Sequence, residues 1–221
     1  MTPTDPNPLS LLSPIRSLLG WSIVAADTSV LGNLVIGMSL LGRSGDEAHR
    51  VGRFWSTLNL RLLGFEVTSE GAERLAPDQP YVVMANHQSY LDIWSVYAAV
   101  PLSIRWVMKQ ELREVPVFGL ACERMGHVYV ERGNRESAQV SMQVAADRIA
   151  SGTSVVFFPE GTRSKTGALG PFKSGGFRLA MAAGVPILPV TLNGTRELLP
   201  NGAWRFRTGR IHVVMGEPVP T

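Results

Sequence analysis

The stretch PYVVMANHQSYLDIWSVYAAV, residues 80–100, sets the fold class. Residues 80–85 form a short β-rich run, closed by the polar trio Asn86-His87-Gln88, and residues 89–100 carry the apolar spacing of a helix. A strand that feeds directly into a helix is the repeating unit of α/β layers. Working outward, further strands are predicted over residues 104–108, 128–130, 153–158, 187–192 and 211–215. Helices are predicted over 115–125, opened by Pro116, and over 136–151 and 175–183. Strand and helix taking turns predicts an α/β fold, a single layered domain with a mixed, largely parallel sheet flanked by helices. No internal repeat or interdomain linker breaks the pattern.

Upstream the chain changes character. Residues 1–14 are rich in Pro, Ser and Thr and read as a poorly ordered arm. Residues 18–41 are strongly apolar but interrupted by Asp27 and Asn33, and the charge-free part, residues 28–42, is short beside the ~20 residues of a membrane-crossing helix. A tilted, re-entrant or interface-lying segment therefore fits this stretch better than a span. A secretory leader, with Arg16 ahead and Ala25-Ala26 as cleavage site, is the weaker reading because its n-region is Pro-rich. Over residues 46–65, Val51, Phe54, Trp55, Leu58 and Leu62 recur at helical spacing, while Arg50, Arg53 and Arg61 fall mostly elsewhere on the wheel. That helix suits either one membrane leaflet or its own protein core. Beside residues 18–41, leaflet attachment is the better reading.

A chain of 221 residues is long enough for one well-buried domain. The net charge of +3, carried mostly by Arg, favours anionic partners: phosphates, acidic lipid headgroups or nucleic acid. The single cysteine, Cys122, excludes an intrachain disulfide framework and suits a reducing compartment.

Two strings carry chemistry. In Asn86-His87-Gln88-Ser89-Tyr90-Leu91-Asp92, a histidine and a carboxylate flank a strand-to-helix junction, where open α/β sheets place their ligand crevices. A bent helix entrance brings Asp92 to Nδ1 of His87 and leaves Nε2 to accept a proton. The alternative is a chance spacing. In Phe158-Pro159-Glu160-Gly161-Thr162-Arg163-Ser164, Gly161 permits a tight turn and Arg163 can grip phosphate bidentately. Glu160 binds a hydroxyl or orders Arg163, or else the two simply pair on the surface. Lys109, Arg132 and Lys173 are further basic candidates, each just after a strand or turn. No Gly-x-Ser-x-Gly elbow, HExxH, Walker A or Gly-x-Gly-x-x-Gly string is present, no metal site is expected, and Cys122 lies in an apolar stretch. A base without an enzyme nucleophile points to direct attack by a substrate hydroxyl.

Four blocks in order resemble the glycerolipid acyltransferase family, the 1-acyl-glycerol-3-phosphate acyltransferases: NHQSYLD (86–92), GHVYVER (126–132), FPEGTRS (158–164) and VPILPV (185–190). MKQELREVPVFG (108–119) and FKSGGFRLA (172–180) resemble the segments between blocks, and the likeness covers roughly residues 67–218. It implies transfer of an acyl group from acyl-CoA or acyl carrier protein to the sn-2 hydroxyl of lysophosphatidic acid, giving phosphatidic acid. It further implies His87 as base and Asp92 as its orienter, with Lys109, Arg132, Glu160, Gly161, Thr162, Arg163 and Lys173 on the acceptor's glycerol phosphate. Pro189 would shape the acyl-donor or catalytic wall. No cofactor is implied beyond the thioester co-substrate, and the partners are the two substrates and a membrane lipid surface, with no nucleic acid. Residues 1–65 would form the arm and membrane-associating helices, residues 66–221 the acyltransferase α/β domain. The expected place is the cytoplasmic face of a membrane, monotopic or peripheral, the inner membrane if bacterial. Three departures stand out: Glu131 where the family more often has Asp, Ser174 where many members have a second basic residue, and a stop at Thr221 where relatives usually run on into a terminal helix.

Overall fold

The computed structural model describes residues 9–76, 78–131 and 133–221. Two helices come first, α1 (Leu9–Leu40) and α2 (Gly45–Leu62). Then follow β1 (Phe65–Glu70), β2 (Val82–Ala85), α3 (Leu91–Ala99), β3 (Ile104–Lys109), α4 (Phe118–Arg124), β4 (Val128–Val130) and α5 (Arg135–Ala150). The chain closes with β5 (Ser154–Phe157), α6 (Gly175–Ala183), β6 (Ile187–Asn193), α7 (Thr195–Leu198) and β7 (Gly209–Met215). The strands make one sheet in the order β1-β7-β6-β2-β5-β3-β4. Pairing is parallel throughout except between β6 and β7, so β1 and β7 run against the other five strands.

Alternation along β2 divides the core into two layers. Val83 and Ala85 face Leu60 and Leu63 near the end of α2 and Leu91, Trp94 and Val96 of α3. Val82 and Met84 face the other way, into Ala145 and Ile149 of α5 and Leu179 and Ala180 of α6. Both central strands, β2 and β5, are buried along their whole length. That burial explains why they read as unbroken apolar runs rather than alternating ones.

Of the readings open for residues 18–41, the re-entrant segment is excluded: α1 is one continuous helix of 32 residues. Pro14–Leu40 is long and apolar enough to cross a membrane by length and composition. Counting only the charge-free residues undercounts the helix, because Asp27 is accommodated inside it. Its Oδ1 accepts hydrogen bonds from Trp55 Nε1 (2.9 Å) and Asn59 Nδ2 (3.3 Å) of α2. Burial raises the Asp27 pKa above the ordinary carboxylate value, against the lowering effect of these bonds. Helix α2 starts on a capping box between Ser44 and Glu47. It ends at Gly64, whose φ of +80° turns the chain into β1.

Strand β1 is not among the predicted strands, since four of the six residues in FEVTSE are polar. It lies at the sheet edge beside β7, with Phe65 buried and the later residues mostly exposed. Helix α4 begins two residues later than Pro116, because Val117 sits at φ +62°, outside helical space, behind a 3-10 turn over Gln110–Glu114. Short α7 was likewise not expected.

Under α2 and α4 lies a buried polar set. His127 Nδ1 accepts from the Trp106 backbone N–H (3.3 Å), which leaves Nε2–H to donate to Tyr97 Oη (2.9 Å). His49 Nε2 accepts from the Ile104 N–H (3.3 Å). Burial, reinforced by the nearby Arg105 charge, lowers the His49 pKa to about 4 and that of His127 to about 3. In the unfolded chain both rings bind a proton below about pH 6.5, whereas the folded protein keeps them neutral. Stability therefore holds above that pH and falls as pH drops below it, by about 2–4 kcal/mol between pH 6.5 and 5. Urea unfolding at the two pH values measures the loss, and His127→Gln shrinks it.

Candidate active site

Because β2 and β5 are parallel neighbours, the loops after them leave the same edge of the sheet. The first brings His87 two residues beyond Ala85. The second brings Phe158 to Arg163 directly beyond Phe157.

His87 Nδ1 lies 2.8 Å from Asp92 Oδ2. That carboxylate is wholly buried, and its Oδ2 also accepts the backbone N–H groups of Gln88 (2.6 Å) and Ser89 (2.8 Å). These bonds explain why α3 starts at Leu91 rather than at Ser89. The carboxylate gathers the N–H groups that an earlier helix start would leave unpaired. With Nδ1–H donating to Asp92, Nε2 is the nitrogen left to take a proton. One face of the imidazole lies flat on the Phe158 ring, centroids 3.7 Å apart and planes 7° apart.

The His87 peptide is clamped from the second loop. Its N–H donates to Glu160 Oε1 (2.8 Å), and its carbonyl accepts from the Ser164 N–H (2.7 Å). Glu160 Oε2 accepts from the Gly170 N–H (2.9 Å). Both oxygens of this buried carboxylate thus hold backbone, and Glu160 does not pair with Arg163. It ties the two catalytic loops together across 73 residues of sequence. Asn86 plays a comparable part toward β6, donating to the Leu192 carbonyl (3.0 Å) and accepting from its N–H (2.7 Å).

Arg163 lies over the Tyr90 ring, Cζ 3.6 Å from the centroid. Its Nη1 is buried without a hydrogen-bond partner, and no carboxylate pairs with it among the described residues. A stacked guanidinium with an unfilled donor is prepared for an anion. Gly161 adopts φ +71°, and a Cβ there would meet Lys173 Nζ at 2.8 Å, so the ammonium passes over this turn beside Arg163.

The sequence falls into place against known proteins at this point. The family model described as Acyltransferase matches residues 66–193. The chain belongs to the acyltransferase family. A 1-acyl-sn-glycerol-3-phosphate acyltransferase of Chlamydomonas reinhardtii is 34% identical over 97% of this chain and 66% of its own length. The alpha form from Homo sapiens is 37% identical over 72% of this chain and 57% of its own length. The chain thus spans between about half and two thirds of these relatives. The crystal structure of the 1-acyl-sn-glycerophosphate (LPA) acyltransferase PlsC from Thermotoga maritima superposes with a TM-score of 0.82 at 28% identity, covering 96% of this chain and 86% of that one.

Within this acyltransferase frame, His87, Asp92, Gly161, Arg163 and Lys173 converge at one edge, with exposed Thr162 between Gly161 and Arg163. Lys109 ends β3 and is ion-paired with Glu111 (2.7 Å). Arg132 lies outside the described residues. Pro189 lies on β6. It is in register with Met84 inside the sheet, on the α6 side, and its carbonyl accepts from the Gly216 N–H (2.8 Å). Its lack of an N–H suits the place where β6 changes from a parallel to an antiparallel neighbour. Tyr90 and Phe158 were not singled out from sequence. Each stood inside a motif already read, but an aromatic there looks like any core aromatic until its ring partner is known.

Proposed function

We propose that the chain transfers a fatty acyl group from acyl-CoA or acyl carrier protein to the sn-2 hydroxyl of lysophosphatidic acid, yielding phosphatidic acid. The observation that carries this reading is the His87–Asp92 pair on one loop and, on the adjacent loop, an Arg163 stacked on Tyr90 with its Nη1 unpartnered. His87 Nε2 takes the hydroxyl proton as the oxygen attacks the thioester carbonyl. The tetrahedral adduct collapses, the C–S bond breaks, and the imidazolium proton serves the departing thiolate. The thioester supplies the activation, and no cofactor is called on. Arg163 and Lys173 hold the acceptor phosphate, with Arg132 and Lys109 as further contacts.

A membrane supplies the acceptor. The side of α1 away from the domain exposes Ile15, Leu18, Leu19, Ile23, Val30 and Leu34. Its other side is tied down, Arg16 to the Phe206 carbonyl (3.0 Å) and Trp21 Nε1 to the Trp204 carbonyl (2.6 Å). The same loop reaches the site through Asn201 Nδ2, which donates to the Arg163 carbonyl (3.2 Å). A helix about 48 Å long, docked lengthwise on its domain, suits monotopic seating in one leaflet at the cytoplasmic face. Lysolipid then enters laterally beside Arg163. Leu18→Glu with Val30→Glu should abolish co-flotation with liposomes while leaving the thermal transition in place.

The test is an acceptor panel in mixed micelles. Product from lysophosphatidate, and little from lysolipids whose phosphate is a diester, supports the reading. Equal use of diester acceptors replaces the substrate, and release of free CoA without acyl product makes the protein a thioester hydrolase.

A further inference from the structure

The ring under His87 has no role in the dyad as described. Phe158 and His87 stack almost parallel, 7° apart with centroids 3.7 Å apart, and Trp106 lies against Phe158 at 5.4 Å and 26°. Trp106 is itself buried, so the stack is backed by core rather than by solvent. Two neutral aromatic rings disfavour this near-eclipsed sandwich and prefer an offset or edge-on arrangement, because like quadrupoles face each other. A cation over the same face is attracted. The arrangement is therefore matched to the imidazolium, the form His87 takes on accepting the hydroxyl proton.

We propose that Phe158 is a positioning residue for His87. It fixes the imidazole plane from one face while Asp92 fixes it in plane, and it stabilises the charged ring in the transition state more than the neutral ring in the ground state. The inference rests on the acyltransfer reading and deepens it. The Phe158 ring stacks on His87 and Trp106, while only its backbone carbonyl meets the phosphate-grip loop, at the Gly161 N–H, so changing the ring falls on kcat and spares the acceptor KM.

The experiment keeps size and packing while removing the quadrupole. Phenylalanine at 158 is replaced by a series of increasingly fluorinated phenylalanines, ending at the pentafluoro form, in wild-type and His87→Ala backgrounds. Expected is a graded fall in kcat, about 5–30-fold at the end of the series, with acceptor KM unchanged within about twofold. In the His87→Ala background the series should be flat. Phe158→Tyr, which keeps the π-face, should retain kcat within about threefold, and Phe158→Leu should not. A kcat unchanged across the fluorinated series in wild type, or an equal fall in both backgrounds, overturns the inference. Should His87→Ala itself turn over like wild type, the acyltransfer mechanism fails instead, and the two failures are told apart by that single control.

Discussion

His87→Ala is expected to lower kcat for phosphatidic acid formation by about 10²–10⁴-fold, the usual contribution of a positioned general base, with acceptor KM within about threefold of wild type. No other imidazole can take over. His49 on the inner face of α2 and His127 just ahead of β4 are buried, and His212 projects from β7 toward Thr68 and Glu70. The fold should survive, because the clamps on residue 87 from Glu160 and Ser164 act on its backbone. Activity assays beside a thermal transition separate loss of chemistry from loss of structure. A variant that stays folded and keeps more than a tenth of the wild-type rate would remove His87 from the base role.

Asp92→Asn should be nearly as damaging to rate and more costly to stability. Asp92 Oδ2 accepts three N–H groups, from His87, Gln88 and Ser89, while Oδ1 is buried without a partner. An asparagine keeps the three bonds only by placing its oxygen at the Oδ2 position, which buries the NH₂ with no acceptor. The opposite flip sets the NH₂ against three donors. Either way the negative charge opposite the imidazolium is gone. The expected loss is about 10²–10³-fold in kcat, with about 1–3 kcal/mol of stability lost to the unsatisfied amide. Steady-state kinetics and urea unfolding on the same preparation measure both. A stable variant with wild-type kcat would show that Asp92 serves only to start α3.

Much of this was legible from short-range pattern. The apolar runs that became β2 and β5 are buried on both sides, so hydrophobicity alone marks them as central strands and places the residues that follow at the ligand edge. The five-residue spacing from His87 to Asp92 also survived translation into geometry, since both ends belong to one strand-to-helix turn. What escaped were properties made by partners distant in sequence. Asp27 looks like a helix breaker in an apolar run until Trp55 and Asn59 are seen to bind it. Glu160 reads as a surface partner for Arg163 until its two oxygens are found on the N–H groups of His87 and Gly170. Pro189 stands in a recognisable block, yet which way a strand residue faces follows from register with β2, which one strand's sequence does not encode. Strand β1 was invisible for a related reason: an edge strand needs only one buried face, and within FEVTSE only Phe65 is buried and Val67 partly so.

The central claim is that the acceptor hydroxyl attacks the thioester directly, with His87 as base and no acyl-enzyme. Cys122 fits this, being buried with a thiol pushed up to about 12 by desolvation. The direct measurement is rapid-mixing thiol release from long-chain acyl-CoA, without and then with lysophosphatidate, alongside intact-protein mass. The account predicts no burst without acceptor, no acyl adduct, and thiol release equal to phosphatidic acid once acceptor is added. A burst stoichiometric with enzyme, together with a protein heavier by one acyl group, would contradict it.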